Sequence, residues 1–216
     1  SPSLTVVDTS TPSIFNDIDI AVKIKEITGS FIVLVGTHPS ALPEETLMIN
    51  GSIDAVARRE YEYTILDLAL LMDNGKINKD RLNSVDGISF RMDNKVFHNK
   101  GRAFAEDLDA LPFVSEVYKK HLNYKDYFYA HSRYPIITLI TGRGCPHHCV
   151  YCLYPQTFNG HKLRYRSIKN VIDEIEYCLK NFPDLKEIMF EDDTFTVNKK
   201  RAIEFADEVL KRGLRF

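Results

Sequence analysis

Cys145, Cys149 and Cys152 stand in a C-x3-C-x2-C spacing within Thr141–Cys152 and account for three of the chain's 4 cysteines. Thiolates are the ligands of iron–sulfur clusters, and a short loop with such spacing can wrap one cubane. Three ligands for four irons leave one iron open, and an open position is what catalytic metal sites keep and structural ones close. The spacing points to a cluster that binds and reacts. Other chemistries use the same residues. With His147, His148 or His131 the cysteines make a Cys3His zinc set of structural role. Two of them could instead pair as a disulfide, although no signal of an oxidising compartment accompanies them.

These cysteines need a rigid mount. Residues 134–140 are apolar and are expected to form a buried strand, after which Gly142 and Gly144 let the chain turn tightly. The carboxyl end of a strand is where βα-barrel enzymes place their chemistry. Beyond the motif, 154–166 is irregular and basic, with Tyr165 among His161, Lys162, Arg164 and Arg166; it reads as a solvated loop or an anion contact. Ser167 is expected to cap a helix burying Val171, Ile172, Ile175 and Leu179, with Cys178 as core. Residues 187–190 make the next strand, which ends in Glu191-Asp192-Asp193. Thr196 or Asn198 then caps a last amphipathic helix.

The first third of the chain alternates strand and helix. Residues 4–7, 31–35 and 53–57 read as strands, the second apolar throughout, as a strand buried on both faces should be. Helices are expected over 16–27, from Pro43, and over 61–72. That order makes a parallel α/β sheet, whose ligands bind at the carboxyl ends of its strands. The binding loops are then 8–12, 36–40 and the turn after Ala57. Residues 76–85 read as a connection, and 87–91 with 95–98 as a β-hairpin around Met92-Asp93-Asn94. Tyr118, Tyr124, Tyr127 and Tyr129 could line an active site, but packing is the favoured reading.

The 216 residues are 44% hydrophobic and 27% charged, with a net charge of −2. That balance fits an ordinary globular chain and gives no footprint for nucleic acid. No apolar run reaches the about 20 residues that span a bilayer. Clustered cysteines without a secretion signal lead to the expectation of a reducing cytoplasm. The chain is also expected to be a fragment, truncated at both ends.

With Tyr151 before its third cysteine, the motif resembles the cluster loop of radical S-adenosylmethionine enzymes. That resemblance implies an enzyme in which Cys145, Cys149 and Cys152 ligate a 4Fe-4S cluster and the open iron takes S-adenosylmethionine. Tyr151 would lie against the adenine, and Asp193, or else Asp192, would accept the methionine ammonium. A small-molecule substrate and an electron donor such as flavodoxin or ferredoxin follow from the same likeness. Residues 8–26, 34–47 and 59–68 resemble the cobalamin-binding domain attached to many of these enzymes. By that likeness Ser10, Thr11, Gly36, Thr37 and Ser40 would lie along cobalamin, a candidate third cofactor. Where that domain usually has G-E-G-E, this chain has Arg59-Glu60-Tyr61-Glu62.

The implied fold is α/β: a partial Rossmann-like, cobalamin-binding-type sheet (1–76), a linker with a hairpin (77–130), and the first β/α units of a partial TIM-like barrel (131–216). The implied activity is reductive cleavage of S-adenosylmethionine and hydrogen abstraction, followed by cobalamin-dependent methylation or a rearrangement. Two alternatives stay open. One is a zinc-stabilised protein-interaction module. The other is a methylthiotransferase-like RNA-modifying radical enzyme, whose relatives usually carry a second three-cysteine set upstream.

Overall fold

A computed structural model describes every residue except Lys76, where the sequence places the end of the first domain and the start of a connection. The chain forms two units: 1–104 with 148–160, and 105–147 with 161–216.

The first unit opens with β1 (Leu4–Asp8), α1 (Ile14–Thr28), β2 (Phe31–Val35), the single turn α2 (Thr37–Ala41), α3 (Pro43–Ile49), β3 (Ala55–Ala57) and α4 (Glu62–Asp73). β1 pairs parallel with β2 from Leu4↔Phe31 to Asp8↔Val35, and β2 pairs parallel with β3. The alternation of a strand divides β2 between two cores. Ile32 and Leu34 pack with Ile14, Ile18 and Ala21 of α1 and Leu47 of α3. Val33 and Val35 pack on the other face with Leu68 of α4. This double burial explains the unbroken apolar run of β2.

Two details depart from the sequence pattern. α1 begins at Ile14, and Ile20 and Ile27, which share its apolar periodicity, are 46% and 84% exposed. The 36–40 loop contains a turn of helix, α2.

Next come α5 (Lys79–Leu82), β4 (Ile88–Met92) and β5 (Lys95–His98). Asn78 caps α5 by accepting the Arg81 N–H at 3.0 Å. The hairpin turns through Asp93 and Asn94, both at positive φ (50° and 57°), the two-residue turn that matches strand twist. β4 pairs antiparallel with β3, so the sheet order is β1-β2-β3-β4-β5.

The second unit contains α6 (Val114–His121), β6 (Ile136–Leu139), the short strands β7 (Gly142–Arg143) and β8 (Arg164–Tyr165), α7 (Ile168–Asn181), β9 (Glu187–Phe190) and α8 (Lys199–Lys211). β6 and β9 are parallel, from Ile136↔Glu187 to Leu139↔Phe190, and α7 makes the crossover. Ile137 and Leu139 pack on Val171, Ile172, Ile175 and Cys178 of α7 and on Phe205 of α8. This is the expected β/α repeat, and no closed barrel forms among the described residues. Ser167 caps α7 by accepting the Asn170 N–H at 3.1 Å, and Asn198 caps α8 by accepting that of Arg201 at 3.1 Å.

Candidate functional site: the cysteine motif and the loops at the strand ends

Two residues beyond β6 stands a fully buried threonine, Thr141. Thr141 donates its backbone N–H and its hydroxyl to the two carboxylate oxygens of Asp192, each at 2.6 Å. Asp192 follows β9, the neighbour of β6, so the bond ties the carboxyl ends of both strands together. Arg201 of α8, only 6% exposed, completes the tie. It donates to Thr141 O at 3.0 Å, to Thr141 Oγ1 at 3.2 Å and to Arg166 O at 3.2 Å. Its guanidinium also lies 4.7 Å from the Tyr165 ring centroid, a cation–π contact. Burial raises the Asp192 carboxyl above its ordinary range, while the Thr141 bonds and the Arg201 charge pull it back.

Gly142 passes directly over Tyr165: a Cβ there would lie 2.6 Å from the ring. No other residue fits. Arg166 donates its N–H to Thr141 O at 3.0 Å and pairs with the buried Glu174 at 2.5 Å. Glu174 also accepts from the N–H and hydroxyl of Ser115. Gly144 turns at φ 89°, and the Cys145 carbonyl meets the ring Nδ1 of His161 at 3.1 Å. The segment up to Cys145 is therefore fixed by residues from β9, α7 and α8.

Cys149 and Cys152 count with the first unit. The Cys152 N–H donates to Cys149 O at 3.0 Å, which sets them one turn apart. Cys149 is exposed and Cys152 half-buried, and Tyr151 between them is 86% exposed. A π-helical turn, Pro155–Asn159, follows. None of the four cysteines is in a disulfide, so that reading of the motif finds no support in the fold. Three reachable free thiols are the donor set that an iron–sulfur cluster uses. Among the described residues no three His, Cys, Asp or Glu side chains are gathered around a point that could hold one metal ion. Cys178 is a core residue as expected, its thiol pushed up to about 12 by burial.

The loops at the carboxyl ends of β1 to β3 meet within the first unit. The Thr11 hydroxyl contacts His38 Nδ1 at 3.1 Å, which gives His38 a place in this hydroxyl-rich edge. Ser10 and Ser13 pair through their hydroxyls at 3.2 Å. Gly36, at φ 107°, has no room for a side chain, because a Cβ would lie 2.3 Å from Asp8 Oδ1 and from Thr9 O. Ser40 accepts the Arg59 N–H at 2.8 Å. Ser10, Thr11, Gly36 and Ser40 are thus brought to one edge with Thr37, the first residue of α2. Asp193 is exposed at the other strand end, next to Asp192.

Two contributors escape sequence reading. Arg201 is written as the third of three consecutive basic residues, and only the turn of α8 aims it inward. Thr141 looks like loop polarity. The tyrosines before the strand, for which a lining role is the second reading, are found around a cavity: Tyr118, Tyr124, Tyr127 and Tyr129, with Phe128 and Ile137, line about 250 Å³.

Residues 139–216 match the family model described as Radical SAM superfamily. Over 214 residues the chain is 31% identical to an uncharacterized methyltransferase of Pyrococcus horikoshii, covering 99% of this chain and 44% of that protein. It is 30% identical over 192 residues to the anaerobic magnesium-protoporphyrin IX monomethyl ester cyclase of Rubrivivax gelatinosus, covering 88% of this chain and 33% of that one. The chain thus spans less than half the length of these relatives. Its fold is similar to that of the radical S-adenosylmethionine methyltransferase TsrM of Kitasatospora setae, solved with tryptophan substrate and a SAM analog. The TM-score is 0.71 at 16% identity, covering 98% of this chain and 41% of that one. A second structure of TsrM, with cobalamin and a [4Fe-4S] cluster bound, gives a TM-score of 0.70.

Proposed function

We propose that this chain, whose residues 139–216 belong to the radical SAM superfamily, is part of an iron–sulfur enzyme that acts on a small molecule. One observation carries the reading: three free, reachable thiols in C-x3-C-x2-C spacing follow a buried strand end in the matched segment. Cys145, Cys149 and Cys152 would hold a 4Fe-4S cluster. When bound, the cluster and S-adenosylmethionine supply reductive cleavage to a 5'-deoxyadenosyl radical, the hard chemistry that a cofactor brings.

The protein's part is to hold and orient. The Asp192 carboxylate is engaged with Thr141, so its role is to fix the strand end. Asp193, the exposed neighbour, is the carboxylate we assign to the methionine ammonium, a charge-assisted bond. Tyr151 offers an open ring for the adenine. In the first unit, the hydroxyls of Ser10, Thr11, Thr37 and Ser40 and the backbone of Gly36 would line cobalamin. Cobalamin-dependent methylation of an unreactive carbon is the reaction we favour, in keeping with the methyltransferases among the relatives. A flavodoxin or ferredoxin would supply the electron.

Anaerobic reconstitution with iron and sulfide tests the ligand set. The wild-type chain should take up about four irons and four sulfides, and Cys149→Ser should lose them. Wild-type protein that takes up one zinc and no iron would overturn the reading in favour of a zinc-stabilised module.

A further inference from the structure

We infer that Tyr61, Arg59 and Phe104 are positioning residues for the Cys149–Cys152 half of the motif, holding the turn that follows it against the first unit's sheet. The functional side of this inference rests on the reading that those cysteines ligate a cluster.

Residues 148–160 lie far along the chain from the sheet, yet they belong to its unit. Besides the packing of its turn on α2, two ring contacts made within that unit hold the segment, and a third supports one of those rings. Tyr61, at the start of α4, packs on the core of Val35, Ala57 and Leu68. Its ring meets Phe158 edge-on at 5.9 Å and 63°, a preferred aromatic geometry. Gly160 lies flat on Phe104: at φ 71° a Cβ would stand 2.7 Å from that ring. The same ring takes the Arg59 guanidinium, which sits 5.6 Å from its centroid. Arg59 is held in place at φ 63°, a left-handed conformation that a side chain adopts only when its surroundings impose it. Its N–H is bonded to Ser40.

Hydrogen bonds carry this grip back to the thiols. The Gly160 N–H donates to Pro155 O at 3.1 Å, and the Thr157 N–H to Leu153 O at 3.0 Å. The Thr157 hydroxyl donates to the same Leu153 carbonyl at 2.7 Å. With its nitrogen turned to the two carbonyls it faces, the Gln156 amide donates to Cys152 O at 2.9 Å and to Leu153 O at 3.1 Å. Cys152 is in turn bonded to Cys149 O. A displacement of Phe158 or Gly160 is therefore passed to both cysteines through a short bonded turn. Tyr61 thus meets the cysteine-bearing segment directly, and Arg59 acts on it through the Phe104 ring.

Hydrogen exchange on the full chain without metal tests the clamp independently of any cluster. Phe158→Ala should raise amide exchange across 153–160 by roughly 3- to 10-fold, the value of one aromatic pair, while β2 amides stay unchanged. Arg59→Gly separates positioning from stability, since glycine relieves the left-handed strain. It should speed exchange in 153–160 without speeding it in β2. Both variants should also lose a reconstituted cluster to air faster than wild type, by a similar factor. Unchanged exchange in 153–160 in both variants, or a rise shared equally by β2, would overturn the clamp. Should wild type fail to take a cluster, the ligand reading falls, and the exchange data still decide the clamp.

Discussion

Asp192 holds Thr141 at two points, taking its backbone N–H and its hydroxyl at 2.6 Å each, so the ends of two parallel strands are locked together just before the first cysteine. The carboxylate is the only common side chain of this size that accepts twice in parallel without offering a donor.

Asp192→Asn should therefore be costly although nearly isosteric. The amide oxygen can accept one Thr141 donor, and the amide nitrogen then faces the other. We expect a loss of about 1–3 kcal/mol at neutral pH, read as a lower thermal midpoint. Preserved stability would mean that the loop is held by something else.

The same residue gives a pH signature. Burial raises its carboxyl above the ordinary 3.8, so the folded chain keeps the proton to higher pH than the unfolded chain does. The ionisation-linked part of its contribution to stability is full below 3.8 and is lost as pH rises through the folded value, while the two bonds to Thr141 persist. The difference in stability between wild type and Asp192→Asn should change across that window, with wild type losing ground as pH rises. A difference independent of pH from 3 to 7 would contradict the assignment.

Arg201 should tolerate no substitution, not even lysine. Its planar fork serves Thr141 and the Arg166 carbonyl together while stacking on Tyr165, and an ammonium cannot reproduce that shape. Arg201→Lys is expected to cost about 1.5–3 kcal/mol. A double-mutant cycle with Asp192→Asn should show coupling of about 0.5–3 kcal/mol, because both act on Thr141. Simple additivity would sink the shared-network picture.

Gly142→Ala should destabilise by about 1–3 kcal/mol through overpacking against Tyr165. Shortening the obstacle with Tyr165→Leu in the same chain should recover part of that loss. No recovery would place the strain in the backbone rather than in the ring.

The thiols should divide three to one. Burial pushes Cys178 up to about 12, and the thiolate is the reactive form. Brief iodoacetamide treatment of the native chain without metal at pH 8 should label Cys145, Cys149 and Cys152 and spare Cys178, as read by peptide mass. Labelling of Cys178 at the same rate would show that the α7 core is open.

Much of this was legible in the sequence because period and chemistry agreed. The apolar run 31–35 marked a strand buried on both faces, Ser167 announced its helix, Asn198 was one of two candidate caps for the last one, and the cysteine spacing marked the motif. Legibility failed where a side chain's role depends on partners distant in the chain. Met92-Asp93-Asn94 reveals a hairpin, yet nothing local says that β4 pairs with β3. Arg201 is one basic residue among three until α8 turns it toward Thr141. The outward face of α1 misled for the opposite reason: Ile20 and Ile27 keep the helical period but lie mostly exposed, and periodicity alone does not tell which stripe is covered.

The cysteine loop is proposed to carry a cluster with one iron open to S-adenosylmethionine. EPR of the anaerobically reconstituted and reduced chain, with and without S-adenosylmethionine, tests it most directly. A reduced-cluster signal whose g-values shift on addition is expected in wild type but in none of Cys145→Ser, Cys149→Ser or Cys152→Ser. A cluster signal unchanged by S-adenosylmethionine would contradict the open iron, and a colourless protein holding one zinc would contradict the cluster itself.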